Sequence, residues 1–256
     1  FEDFLKKIDL QKYKPLREIK TVEQDLPKDL RPLEIYYKYY WETTDFKDFD
    51  EIFQIYWNEK LNPQIYNFIK KYFYGCSLKF VEEGFKARLY RIWMSVLTQF
   101  HFQYLWNALF AEKLVSNPDL DMMGIDAIVE LGNKRVAFQI KKVSYRREAS
   151  ERRFTKRQQK HADVFVEVPY LVIDIDKVKN EINKLEKSKT KSGKSENRKE
   201  KLENILKLFN ENFDILENGF VIFKKEYLMH IREIISEKLK TNKNISIITY
   251  NEILQI

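Results

Sequence analysis

Asp126 and, after a twelve-residue spacer, the run Gln139-Ile140-Lys141-Lys142 are residue types that together can hydrolyse a phosphodiester. A carboxylate binds a hard divalent cation, which prefers oxygen donors and keeps several of its waters. Such a cation lowers the pKa of a bound water and neutralises the charge that builds on the phosphate. A nearby ammonium can orient or deprotonate the attacking water, or stabilise the pentacovalent oxygens. Asp121, five residues before Asp126 in the string LDMMGID, can supply a second carboxylate, with Gly124 giving the backbone room to turn between the two. Other chemistries lack their parts. There is no GxxxxGK[ST] phosphate loop, no GxGxxG, no GxSxG elbow and no HExxH. His101, His161 and His230 are isolated and read as structural.

Positioning these groups falls to the segment IDAIVELGNKRVAFQIKKV, residues Ile125 to Val143. Two β-rich runs are joined by Gly132-Asn133, a signal for a two-residue hairpin turn of type II′ or I′. With Leu131 opposite Lys134, Glu130 faces Arg135, Val129 faces Val136, Ala127 faces Phe138 and Asp126 faces Gln139. Strict alternation then places Asp126, Glu130, Arg135, Gln139 and Lys141 on a polar face, and Ile125, Ala127, Val129, Val136, Phe138 and Ile140 on a core face. Alternation favours Lys141 over Lys142 for the Asp126 face; a bulge in the strand would exchange them. The bland alternative for the same residues is a surface hairpin carrying an ordinary Asp–Lys pair.

Charge points the same way as the hairpin. The segment Lys141 to Lys160, KKVSYRREASERRFTKRQQK, holds nine basic and two acidic residues, an excess equal to the +7 of the whole chain. Concentrated Arg-rich charge is the footprint of phosphate binding, because each neutralised phosphate releases condensed counterions. Arg146, Arg147, Arg153, Lys156, Arg157 and Gln158 are the candidate DNA contacts here, base readers and phosphate clamps together, and the bland alternative from charge alone is a solvated basic helix with no partner. A second Lys-rich tract, Lys184 to Lys201, reads as a solvated connection between two helices.

The remaining sequence bounds the class. Of 256 residues, 44% are hydrophobic and 15% aromatic, which excludes global disorder, and six Gly with six Pro exclude collagen-like or linker-like compositions. One cysteine, Cys76, offers neither a disulfide framework nor a zinc finger, and a reducing, cytoplasmic compartment is expected. No run approaches a membrane span; from Phe1 there is no basic stretch followed by an apolar run, so a secretory signal is not expected, and the initiator end is expected to be missing. The pattern predicts one α/β nuclease unit. Residues 1–77 form an N-terminal helical layer whose Tyr36, Tyr37, Tyr39, Tyr40 and Trp41 serve packing. Residues 78–175 form a catalytic core with a long helix from Leu78 to Leu109, the hairpin in a central mixed sheet, and a buried strand Val164 to Ile175 broken at Pro169. Residues 176–256 form a helical part on the DNA-binding side, with strand candidates at Phe220 to Phe223 and Ile245 to Tyr250. Two other readings stay open at this level: a non-catalytic nucleic-acid-binding protein, and a structure-selective DNA repair nuclease.

GID, a twelve-residue spacer and QIK have the shape of the PD-(D/E)xK nuclease motif, in a form with Gln at the acidic position. Beyond that motif the chain resembles the TaqI-type restriction endonucleases, through IKTVEQDLP, KKYFYGCS, ARLYR, TQFHFQYLWNA, GIDA, QIKK, YRREA, EVPY and LENGFVIF, in order over most of its length. The resemblance implies a Mg²⁺-dependent homodimeric endonuclease that cuts both strands of duplex DNA within the palindrome TCGA, with a cognate adenine methyltransferase protecting the host. Its carboxylates fall on Asp121 and Asp126, its lysines on Lys141 and Lys142 with weight on the second, and its metal ligands on Asp121, Asp126 and Gln139, the last a neutral carbonyl oxygen.

Overall fold

Aromatic rings hold together the first part of the chain and a β-sheet the second. The computed structural model describes residues 1–17, 30–72, 76–143, 155–187, 193–241 and 246–254, and the chain divides into two compact units, Phe1–Tyr104 with Leu216–Phe220 and Leu105–Ile215 with Val221–Ile256. The boundary between them falls inside helix Leu78–Leu109.

The first unit contains α1 (Glu2–Lys7), α2 (Leu33–Tyr37), α3 (Phe49–Tyr56), α4 (Ile65–Tyr72) and most of α5 (Leu78–Leu109). Asp48 and Glu51 start α3 with a reciprocal capping box. Tyr36, Tyr37 and Tyr40 are buried; the Tyr36 hydroxyl donates to the Leu89 carbonyl at 3.1 Å, and Trp93 Nε1 donates to the Tyr40 hydroxyl at 2.8 Å. Trp41 stacks on Phe100, so the tyrosine-tryptophan run packs as expected. Asn218, within LENGFVIF, donates from Nδ2 to the carbonyls of Leu5 (2.6 Å) and Ile8 (2.9 Å), satisfying groups that the end of α1 leaves open. Asp50 pairs with Lys12 at 2.6 Å and Lys86 at 3.4 Å.

The second unit is built on a mixed sheet in the order β1-β2-β3-β6, with β1 (Ala127–Leu131) antiparallel to β2 (Lys134–Val143), and β3 (Val164–Leu171) and β6 (Ile247–Ile248) parallel. β1 pairs with β2 from Leu131↔Lys134 to Ala127↔Phe138, the register that the two-residue turn dictates. Gly132 has φ +62° while Asn133 is not among the described residues at positive φ, which fits type II′ and not I′. Trp106 near the end of α5 packs on Phe138 at 5.1 Å between ring centroids.

Two expectations change, and a third, the strand candidate at Phe220 to Phe223, forms. The hairpin face opposite Phe138 is polar only toward its turn; farther along, Leu120, Ile125, Ala137, Ala162 and Phe165 form a second core cluster, so the sheet is covered on both sides there. β3 runs unbroken through Pro169. Phe165 N–H points to Ser246, so alternation aims the missing N–H of Pro169 at the same edge, beyond the point where β6 pairing ends at Val166, and no ladder bond is lost. Finally, Val221–Phe223 (β5) pairs with Phe213–Ile215 (β4) in a separate two-stranded sheet.

The Lys-rich tract is largely the facing ends of α8 (Ile175–Lys187) and α9 (Gly193–Asn212), which pair through Arg198–Glu181 and Lys199–Glu186, both at 2.8 Å, over a small core of Val178, Ile182 and Leu202. α6 (Pro118–Met122), α7 (Lys156–Gln159), α10 (Lys225–Thr241) and α11 (Tyr250–Leu254) complete the unit. Among the described residues no helix is long and apolar enough to cross a membrane.

Two measurements check this account. A Cβ at position 132 meets no atom within 4 Å, so Gly132→Ala suffers only from its backbone conformation and is expected to lose about 1–2 kcal/mol in urea unfolding. Equal stability would place the turn outside the left-handed region. Burial alone would raise the Asp50 carboxyl, but the hydrogen bond from Lys12 and the charge of Lys86 hold it below its usual range. A depressed carboxyl stabilises the fold above its unfolded pKa and loses that contribution as pH falls through the folded value. Asp50→Asn is therefore expected to be less stable than the parent at pH 7, with the gap closing as the pH is taken below about 4. A gap independent of pH would contradict the assignment.

Candidate active site

The ladder between β1 and β2 ends at Ala127↔Phe138, yet the N–H of Asp126 also donates to the Phe138 carbonyl, at 2.8 Å. Two successive residues thus answer to one on the neighbouring strand, the arrangement of a β-bulge. Its effect is read from Ile125, expected on the Ala127 face but packed with Ala137 and Phe165 on the other. Asp126 is therefore not set opposite Gln139. A bulge re-aims the side chain that it carries, and Asp126 turns with Ala127 toward the face of Phe138, Ile140 and Lys142.

The aspartate is held from several directions. Its Oδ2 accepts the Ile140 N–H at 2.5 Å, and its carbonyl accepts from Ser116 Oγ at 2.5 Å. Val115 fixes Ser116 by a two-way backbone bridge with Ile128, 2.8 Å in each direction. Upstream, Gly124 takes φ +77°, and its N–H donates to the Asp121 carbonyl at 2.8 Å, closing the turn out of α6. Asn117 caps that helix through the Leu120 N–H. Asp126 is 3% exposed, and Asp121, in the last turn of α6, is half-buried.

The two lysines have different surroundings. β2 pairs with β3 one-to-one from Val136↔Val164 to Val143↔Leu171, so Lys141 and Lys142 take opposite faces. Lys141, on the Gln139 face, donates to Glu167 Oε1 at 2.8 Å and lies 4.9 Å above the Tyr250 ring. Its side chain is 15% exposed and that of Glu167 1%. Lys142 is exposed. Glu167 and Tyr250 went unassigned in the sequence reading, although an acidic residue inside the apolar run VFVEVPYLVI is a signal in itself, since a buried carboxylate needs a partner.

The rest of the candidate set is dispersed. Among the described residues no three of His, Cys, Asp or Glu gather to hold a metal ion. Arg146, Arg147 and Arg153 lie outside the described residues, as do the side chains of Lys156 and Arg157. Gln158 is 7% exposed; its Oε1 accepts from Thr155 in a capping box and its Nε2 donates to the carbonyls of Met123 (3.1 Å) and Gly124 (3.5 Å). It braces the turn that delivers Asp126.

A profile of the family described as TaqI restriction endonuclease matches residues 1–235. The chain is 39% identical over 247 residues to the type II restriction enzyme TthHB8I of Thermus thermophilus and 40% identical over 247 residues to the type II restriction enzyme TaqI of Thermus aquaticus. Each alignment covers 94% of this chain and 89% of the relative. No solved structure matches it. The chain belongs to the TaqI restriction endonuclease family, and with it to the site-specific endodeoxyribonucleases.

Proposed function

We propose that this chain hydrolyses phosphodiester bonds of double-stranded DNA at the palindrome TCGA with Mg²⁺, and that the bulged start of β1 beside the end of β2 is its active site. The observation that carries the reading is the Asp126 carboxylate, buried and fixed to the Ile140 N–H of the strand that also bears Lys142. A preset, oxygen-only donor of this kind suits a hard divalent cation. Asp126 would hold the metal with Asp121, while Gln139, on the opposite face of β2, stands apart from that pair. Bound there, the cation would lower the pKa of a water and offset charge on the phosphate.

The chain's own groups do the remainder. Lys142 extends toward solvent, where a phosphate approaches, and its ammonium orients the attacking water or stabilises the oxygens that gain charge. One water is consumed per bond, leaving a phosphate monoester and a hydroxyl. The basic residues Arg146, Arg147, Arg153, Lys156 and Arg157 follow β2 in sequence and hold the duplex, whereas Gln158 reaches a base only by releasing Met123 and Gly124. A palindromic word calls for two copies related by a two-fold axis, hence a homodimer. A cognate adenine methyltransferase acts on the same word without stable association, and the system is cytoplasmic.

Digestion of a long DNA of known sequence with Mg²⁺, followed by sequencing of every new end, tests this. Ends at TCGA are expected, abolished by EDTA and reduced about 10²–10³-fold in rate for Asp126→Asn. Salt-sensitive binding without cleavage would make the chain a binding module. Arg153→Ala and Arg157→Ala are each expected to flatten the slope of log affinity against log salt by about one unit if they clamp phosphates. Unchanged slope and unchanged sequence preference would remove this segment from the DNA surface.

A further inference from the structure

Glu167 is a carboxylate buried in the sheet, where desolvation disfavours its charge. It is 1% exposed in a strand whose residues are otherwise apolar apart from the Tyr170 hydroxyl, and its Oε2 has no hydrogen-bond partner. A buried ion pair is weak evidence for stability, because well-packed apolar residues often replace it without loss. The cost asks for a reason in geometry.

Place supplies one. Past Phe138 the ladder with β1 has ended, and on that edge the Asp126 carboxylate takes the N–H of Ile140. Lys141 is the next residue, and on the other face its ammonium is held by Glu167 and the Tyr250 ring. β6 and α11 bring Tyr250 there through the pairing Val166↔Ile248. Ile140 and Lys141, the residues just before Lys142, are thus held from both sides of the strand.

We propose that Glu167 is a positioning residue: by holding Lys141 on the far face of β2, it fixes the strand end that offers Ile140 to Asp126 and turns Lys142 to the DNA. This rests on the active-site reading above. It assigns Lys141 to the support of the site and not to the phosphate.

Single-turnover cleavage and DNA affinity, measured with Asp126→Asn alongside and at a temperature where circular dichroism shows each variant folded, test the proposal. Glu167→Gln is expected to slow cleavage about 10-fold with DNA affinity unchanged within about two-fold, a split that loss of stability alone does not produce. The double variant Lys141→Leu with Glu167→Leu is expected to regain thermal stability and to cleave as slowly as Glu167→Gln. Cleavage at the parent rate by the double variant, or by Glu167→Gln, would make the pair purely structural. A double variant far slower than Glu167→Gln would put Lys141 on the phosphate itself. If Asp126→Asn cleaves like the parent, the site reading fails and this proposal with it; if only Asp126→Asn is impaired, the positioning role alone is lost.

Discussion

Past the end of β1, an edge of β2 still presents a backbone N–H that must find an acceptor. Asp126 meets that demand with its side chain, at Ile140, and the bulge that allows it changes the direction of the aspartate relative to the strand. Ser116, the Val115–Ile128 bridge, the Gly124 turn and the Gln158 brace all act on this one short stretch. A carboxylate carried on a stretch fixed by so many bonds would have little reorganisation left to do on meeting a cation and a phosphate, which is the property that electrostatic catalysis needs.

The architecture around it supplies rigidity from two sources. β3 is buried along its whole length and pairs with β2 through Val143, so the strand that bears the lysines cannot slide without breaking a ladder. α5 lays Trp106 over Phe138, two residues before Ile140, and Tyr227 of α10 donates to the Pro169 carbonyl at the register of Lys141. Away from the turn both faces of the sheet are packed, and at the far end of β2 Lys142 is exposed.

Much of this was legible in the sequence because it is local. Gly132-Asn133 dictated the turn and its register, the 3.6-residue period gave α5 its ends at Leu78 and Leu109, and the tyrosine run packed as its context required. What escaped were features set by distant partners. The bulge at Asp126 depends on Ser116 and on Ile125 choosing the Ala137 cluster, neither of which alternation can foresee. Pro169 looked like a strand break because the sequence does not say which edge its missing N–H faces. Asn218 gives part of LENGFVIF a physical reason, closure of α1, that its composition did not suggest. Glu167 had a signal, a charge within an apolar run, but its partner lies 26 residues away.

The central claim is that the bulge, and not simple alternation, decides which lysine serves the reaction. Single-turnover cleavage of TCGA-containing DNA by Lys142→Met and by Lys141→Met, each at saturating enzyme, measures it directly. The account expects Lys142→Met to lose about 10²–10³-fold, well beyond the loss in Lys141→Met. The reverse order would return Asp126 to the Gln139 face and contradict the account.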